Sequence, residues 1–219
     1  MAQLFRPGAN AILRVALVSF VAVPAAVFGG AAALQRTSYV TGQHEFADQP
    51  VPFSHQHHVA DLGLDCRFCH TGAETRAYAG LPPTKTCMTC HSQVWTNAKM
   101  LAPVRDSFAA GEPIAWNRVN DLPGYVYFDH HVHVRNGAPC AACHGDVSKM
   151  PLTAKAAPMT MQFCLDCHRD PATRLAPKAR VFDPQVYEAI AQEDAKAIHQ
   201  RVAQLPETQA LTDCSVCHR

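Results

Sequence analysis

The sequence predicts a mostly irregular chain with short α-helices, preceded by one transmembrane helix and lacking the length for an ordinary side-chain core. Three observations carry that expectation. All ten cysteines fall into five copies of the pattern C-x-x-C-H. One uncharged stretch near the N-terminus, residues 15–34, has the twenty residues that a helix needs to cross a bilayer. The rest, residues 41–219, offers only about 36 residues per motif, and the chain holds 16 prolines and 11 glycines.

Residues 1–40 read as a membrane anchor. Arg6 and Arg14 precede the apolar run "VALVSFVAVPAAVFGGAAAL", which by the positive-inside rule keeps the N-terminus in the cytoplasm and sends the remainder to the extracytoplasmic, periplasmic side. Ala31-Ala32-Ala33 would suit a signal-peptide cleavage site. The run is longer than the 7–15 residues usual for a signal core, which favours a retained single-pass anchor in the cytoplasmic membrane. Pro24 and Gly29-Gly30 weaken an isolated helix, and neighbouring membrane helices can offset this.

The five motifs are "CRFCH" (Cys66, Cys69, His70), "CMTCH" (Cys87, Cys90, His91), "CAACH" (Cys140, Cys143, His144), "CLDCH" (Cys164, Cys167, His168) and "CSVCH" (Cys214, Cys217, His218). C-x-x-C-H is the attachment signal of c-type haem: two thiols add to the two vinyl groups, and the following histidine becomes the proximal iron ligand. Structural zinc sites, redox dithiols and disulfides also use C-x-x-C pairs. None of them requires histidine directly after the second cysteine, and here it follows all five times. The expected cofactors are therefore five c-type haems with their iron. Attachment outside the cytoplasmic membrane agrees with export of the domain. The formal charge of +1 becomes roughly −4 once five ferric haems and their propionates are added, and the basic residues are scattered, so no nucleic-acid surface is expected.

Within residues 41–219 the porphyrins themselves are expected to form the core. An internal repeat organises the chain: "FSHQHHV" at 53–59 and "FDHHVHV" at 128–134 both follow F-x-H-x-x-H-V, and each precedes two C-x-x-C-H motifs. This gives a di-haem unit over 53–91, a linker over 92–127, a second di-haem unit over 128–168, and a helix with the fifth haem over 169–219. In the linker, "EPIAWNRVNDLPGYVYF" suggests short extended pieces about a turn at Leu122-Pro123-Gly124, with Trp116 packed against a haem. Residues 183–205 have the clearest helical pattern: Asp183 as N-cap, Pro184 in the first turn, and a stripe of Val186, Ile190, Ile198, Val202 and Leu205.

Five proximal histidines leave five distal positions. The repeat selects His55, His58, His130 and His133. Two histidines three apart on a short helix point the same way. They cannot approach one iron from opposite faces, so each pair must serve two haems held close together. His57 and His131 fall off this pattern and read as solvated or hydrogen-bonded side chains. For the fifth position methionine is the other common distal ligand. Met150 in "SKMPLT" ranks ahead of Met161 in "MTMQFC", whose three-residue distance from Cys164 ties it to its own motif; His199 is a third candidate.

F-x-H-x-x-H ahead of paired C-x-x-C-H motifs resembles the class III multihaem cytochromes c. Together with "LPGYVYFDHHVHV", "MTMQFCLDCHR" and "LTDCSVCHR" it is similar to the pentahaem cytochrome c subunits (ActA) of bacterial alternative complex III, over most of the chain from about residue 51. That resemblance implies bis-histidine haems with one His/Met site, and His130 capping the haem of His144. It also implies partners: polytopic quinol-binding membrane subunits, an iron–sulfur subunit, a monohaem cytochrome c, and a terminal oxidase or soluble cytochrome c as acceptor.

The expected function is an electron-transfer subunit, not an enzyme by itself, relaying electrons from quinol oxidation. Two other classes compete. A multihaem reductase needs a five-coordinate haem with an open face, and only the fifth distal ligand leaves room for one. A stand-alone anchored quinol dehydrogenase usually carries four haems on a shorter domain.

Overall fold

The computed structural model describes residues 6, 8–186, 196, 200, 203 and 210–218. Two compact units divide the chain, residues 1–42 and 43–219. The first is dominated by helix α1, Ala9–Leu34, whose 26 residues have Arg14 as their single charge. At 1.5 Å per residue it is about 39 Å long, more than a hydrocarbon core requires. None of its residues is buried within the protein. It starts six residues before the predicted span because Asn10 and Arg14 do not interrupt helical backbone bonding, only the apolar run. Among the described residues it is the one helix long and apolar enough to span a membrane. Helix α2, Ser38–Thr41, ends at Gly42, whose φ of +65° is the left-handed stop that glycine adopts without cost.

The second unit is built of short turns. Its α-helices are α3 (Cys66–Cys69), α4 (Thr84–His91), α5 (Ala102–Ala110), α6 (His130–Arg135), α7 (Cys140–His144), α8 (Met161–Arg169) and α9 (Cys214–Cys217). A π-helical turn spans Gln56–Asp61, and single 3₁₀ turns lie between the helices. Among the described residues there is no β-strand, only an isolated bridge between Phe46 and Ala154.

The side-chain core is correspondingly small. Val51, Leu101 and Val104 form one buried cluster, with Ile114 and Trp116 of the linker and Cys87 and Met88 of the second motif packed on it. Trp116 therefore anchors the linker to aliphatic side chains around the second motif. The linker makes no strand pair; its turn is closed by Val126 N donating to Pro123 O. Ala141, Leu175, Ala176, Val181 and Val186 are buried around the third motif's side of the unit, where Cys140 N donates to Val181 O. Asp183 caps the turn after it by accepting from Gln185 N. Val186 is buried as its place in the stripe requires; Ile190, Ile198, Val202 and Leu205 lie outside the described residues.

The two histidine repeats fold differently. His130 and His133 sit on an ordinary α-turn, whereas His55 and His58 sit at a π-turn in which Leu62 N reaches back to His57 O. That wider turn packs on the 3₁₀ turn Val147–Lys149, and Gln56 N donates to Met150 O. Tertiary packing on a distant segment, invisible in the repeat itself, selects the wider winding.

Candidate haem-binding site

Each C-x-x-C-H motif occupies a short helical turn that starts just after an extended residue. Asp65, Pro83, Pro139, Thr160 and Asp213 hold these starts or lie at the turn before them. Asp65 accepts from Arg67 N at 2.8 Å and Thr160 from Phe163 N at 3.4 Å. One helical turn puts cysteines three apart on the same face. None of the ten is in a disulfide, and among the described residues no three histidine, cysteine or acidic side chains converge as a metal cluster would require.

Every motif histidine has its Nδ1 engaged. With Nδ1 protonated, His70 donates to Gly80 O (2.7 Å), His91 to Val94 O (3.1 Å), His168 to Leu211 O (2.8 Å) and His218 to Tyr125 O (3.1 Å). His144 meets the side-chain amide of Asn120 at 3.1 Å. The repeat histidines behave alike: His55 Nδ1 meets Thr153 Oγ1, His58 donates to Ser54 O, His130 to Ala77 O and His133 to Asp129 O, all at 2.7–2.8 Å. Where the partner is a carbonyl, holding Nδ1 in this way fixes the proton there and leaves the Nε2 lone pair free, which is how metal-ligating histidines are oriented.

The imidazoles then stand in four opposed pairs. His55 faces His70 with ring centres 6.5 Å apart and planes 9° from parallel. His130 faces His144 at 6.4 Å and 4°. His133 faces His168 at 6.0 Å and 26°, and His58 faces His91 at 6.2 Å and 65°. A metal between two imidazoles needs roughly 2 Å for each bond and about 1 Å from each nitrogen to its ring centre, roughly 6 Å in all. The residues present fit that requirement, for any rotation of the rings about the common axis. Phe53 and Phe128, the first residues of the two repeats, each stack on the second histidine (4.4 Å) and meet the first edge-on (4.9 and 4.8 Å).

At His55, His133 and His144 burial favours the neutral imidazole, the form that binds metal. Burial, with neighbouring histidine charges adding, pushes His55 and His144 down to about 4; His133 is lowered mainly by burial. Interaction between the neighbouring thiols of Cys66 and Cys140 lowers Cys66 and raises Cys140. Burial pushes Cys143 up to about 11.

These contacts give the motifs a spatial sequence. The first and second share the turn of His55 and His58; the third and fourth share α6. First meets third through Ala77 O, which lies between His70 and its acceptor Gly80 and accepts from both N and Nδ1 of His130. Fourth meets fifth through α8, which packs on the turn Ala210–Thr212 that leads into α9. The order is second, first, third, fourth, fifth.

The remaining candidates are spread out. Met150 packs toward Gly145, beside the third motif. Met161 opens α8 and is exposed. Next to His218 lies the ring of Tyr125 at 5.9 Å. His199 lies outside the described residues. His57 stacks on Trp95 (6.0 Å) and pairs with Asp61; His131 lies 3.3 Å from Asp129. The acceptors Asn120, Thr153, Ala77 and Gly80 carry no motif and are recognisable only once the chain is folded. Gly72 carried a weak signal: a Cβ there would lie 2.6 Å from Tyr78 O and 3.0 Å from Ala79 O, so glycine lets that acceptor loop close.

Comparison with known proteins agrees with this geometry. Residues 126–219 match the family model for cytochrome c7 and related cytochromes c. The multiheme cytochrome c subunit of menaquinone reductase from Nitratidesulfovibrio vulgaris is 28% identical over 179 residues, which covers 78% of this chain and 77% of that protein. The chain thus carries a multihaem cytochrome c domain of short helices and irregular segments, following one N-terminal apolar helix.

Proposed function

We propose that this chain is an electron-transfer subunit with five c-type haems, anchored by its N-terminal helix with the haem domain on the extracytoplasmic side. The observation that carries this reading is the set of four opposed imidazole pairs, 6.0–6.5 Å apart, each ring with Nδ1 occupied. A bound c-type haem supplies one-electron chemistry at its iron. The ten motif cysteines hold the rings covalently; His70, His91, His144, His168 and His218 are the proximal ligands. His55, His58, His130 and His133 are the distal ligands of the first, second, third and fourth sites. Two imidazoles at each of these four irons leave no face open to substrate there, which suits a carrier.

For the fifth site we prefer Met161 to Met150. Met150 lies beside the third motif, whose two histidines already face each other. Met161 is on the helix that packs against the segment entering the fifth motif. A thioether there would raise that site's potential above the others. Haem content per chain with intact-protein mass tests the reading: five covalent haems and a uniformly low-spin spectrum are expected. A high-spin site in the parent protein would favour the multihaem reductase with an open face.

The linker phrases and the relative both support membership of a quinone-linked membrane complex. We propose electron flow from quinol oxidation, with polytopic quinol-binding subunits, an iron–sulfur subunit and a monohaem cytochrome c as partners, as in alternative complex III. The relative's description as part of a menaquinone reductase favours a second reading, the same array delivering electrons into the quinone pool. Isolating the complex in mild detergent, identifying its subunits and assaying quinol oxidation against quinone reduction separates the two. A chain that purifies only alone would favour the stand-alone quinol dehydrogenase.

A further inference from the structure

Four of the five motif histidines donate Nδ1–H to a backbone carbonyl, which no substitution can remove. His144 is the exception, with the Asn120 amide as its partner. We propose that Asn120 is a positioning residue that sets the electron density on His144, and so the potential of the third haem site, by accepting from Nδ1–H through its Oδ1. This rests on the reading that His144 and His130 bind one iron.

Amide nitrogen and oxygen are interchangeable in shape, so chemistry must decide which end faces the ring. If Nδ2 faced it, His144 Nδ1 would have to be bare. A neutral imidazole would then carry its proton on Nε2, the nitrogen needed on the iron side of the 6.4 Å gap to His130. With Oδ1 toward the ring, Nδ1–H donates and Nε2 keeps its lone pair. With Nδ2 toward the ring, Oδ1 is buried with no hydrogen-bond partner, so turning the amide breaks no bond that Oδ1 makes. The contact with His144 is then the hydrogen bond that fixes the Asn120 side chain.

The test is a pair of variants in the full holoprotein, read by EPR-monitored redox titration. Asn120→Asp supplies a stronger acceptor, makes the imidazole more anionic and favours ferric iron. Asn120→Leu supplies none. Asn120→Asp should favour the ferric state of one component by about tenfold, a fall of about 59 mV for a one-electron couple. Asn120→Leu should raise the same component. His130→Ala identifies that component as the low-spin signal it removes. Shifts of the same sign in both variants, a shift in another component, or no shift would overturn the role of Asn120. If His130→Ala removes no signal, the ligand reading itself is wrong and the inference falls with it.

Discussion

The opposed imidazole pairs can be tested by removing one distal ring at a time and asking which signal disappears. In low-spin ferric haem the angle between the two imidazole planes controls the d-orbital splitting. Near-parallel planes give a rhombic EPR signal; crossed planes give a strongly anisotropic one. The structure sets His130 against His144 at 4° and His58 against His91 at 65°. His130→Ala should therefore delete a rhombic component, and His58→Ala the most anisotropic one. Each loss should amount to about one fifth of the low-spin intensity, replaced by an equal high-spin signal. The companion histidines should hold, because their Nδ1 acceptors differ: His133 uses Asp129 O where His130 uses Ala77 O, and His55 uses Thr153 where His58 uses Ser54 O. Loss of the same component in both variants, or of two components in either, would refute the pairing.

Other perturbations probe the surroundings of the sites. Gly72→Val pushes a side chain into Tyr78 O and Ala79 O; it should cost about 1–3 kcal/mol in thermal unfolding. The same variant should shift the signals of the His55/His70 and His130/His144 sites while sparing His58/His91. Met161→Ala should convert the fifth site alone to high spin, with Met150→Ala silent; the reverse result moves the ligand to Met150. Asp65→Ala removes the cap on Arg67 N and should cost about 1 kcal/mol. The Arg67 side chain's hydrogen bond holds the Asp65 carboxyl below its usual value. That contribution is present above the ordinary carboxylate range and disappears as protons bind. The melting-temperature gap between parent and Asp65→Ala should thus narrow as the pH falls below the ordinary carboxylate value of 3.8.

What could be read from the sequence was the chemistry that is local. C-x-x-C-H is fixed by the reach of one porphyrin, and F-x-H-x-x-H by one helical turn, so both survive as patterns. The π-turn at Gln56–Asp61 did not show, because it depends on packing against Val147–Lys149, some ninety residues away. Trp116 packs on Val51, Leu101 and Val104, together with Cys87 and Met88 of the second motif. A lone tryptophan in a linker does not encode which apolar surface receives it. The Nδ1 acceptors were hidden for a related reason: most are backbone carbonyls, which every residue has. His130 finds Ala77 O at a separation of 53 residues, and His168 finds Leu211 O at 43.

The spatial order of the motifs follows from how two copies of one unit are joined. In each copy the first repeat histidine faces the first motif and the second faces the second motif. The copies meet through their first motifs, where His130 N and Nδ1 both donate to Ala77 O, in the segment between His70 and its acceptor Gly80. Chain order is therefore reversed in the first unit, and the second motif becomes one end of the array. The inner pairs match closely, with planes at 9° and 4°, while the outer pairs differ, at 65° and 26°. The inner sites each lie toward their counterpart, although their Nδ1 partners differ: His70 uses Gly80 O where His144 meets the Asn120 amide. The outer sites do not: His91 donates to Val94 O within its own turn, whereas His168 donates to Leu211 O of the segment that brings in the fifth motif. The π-turn in the first unit and the fifth motif beside the second together break the symmetry of the repeat, and they make the two ends of the array chemically distinct.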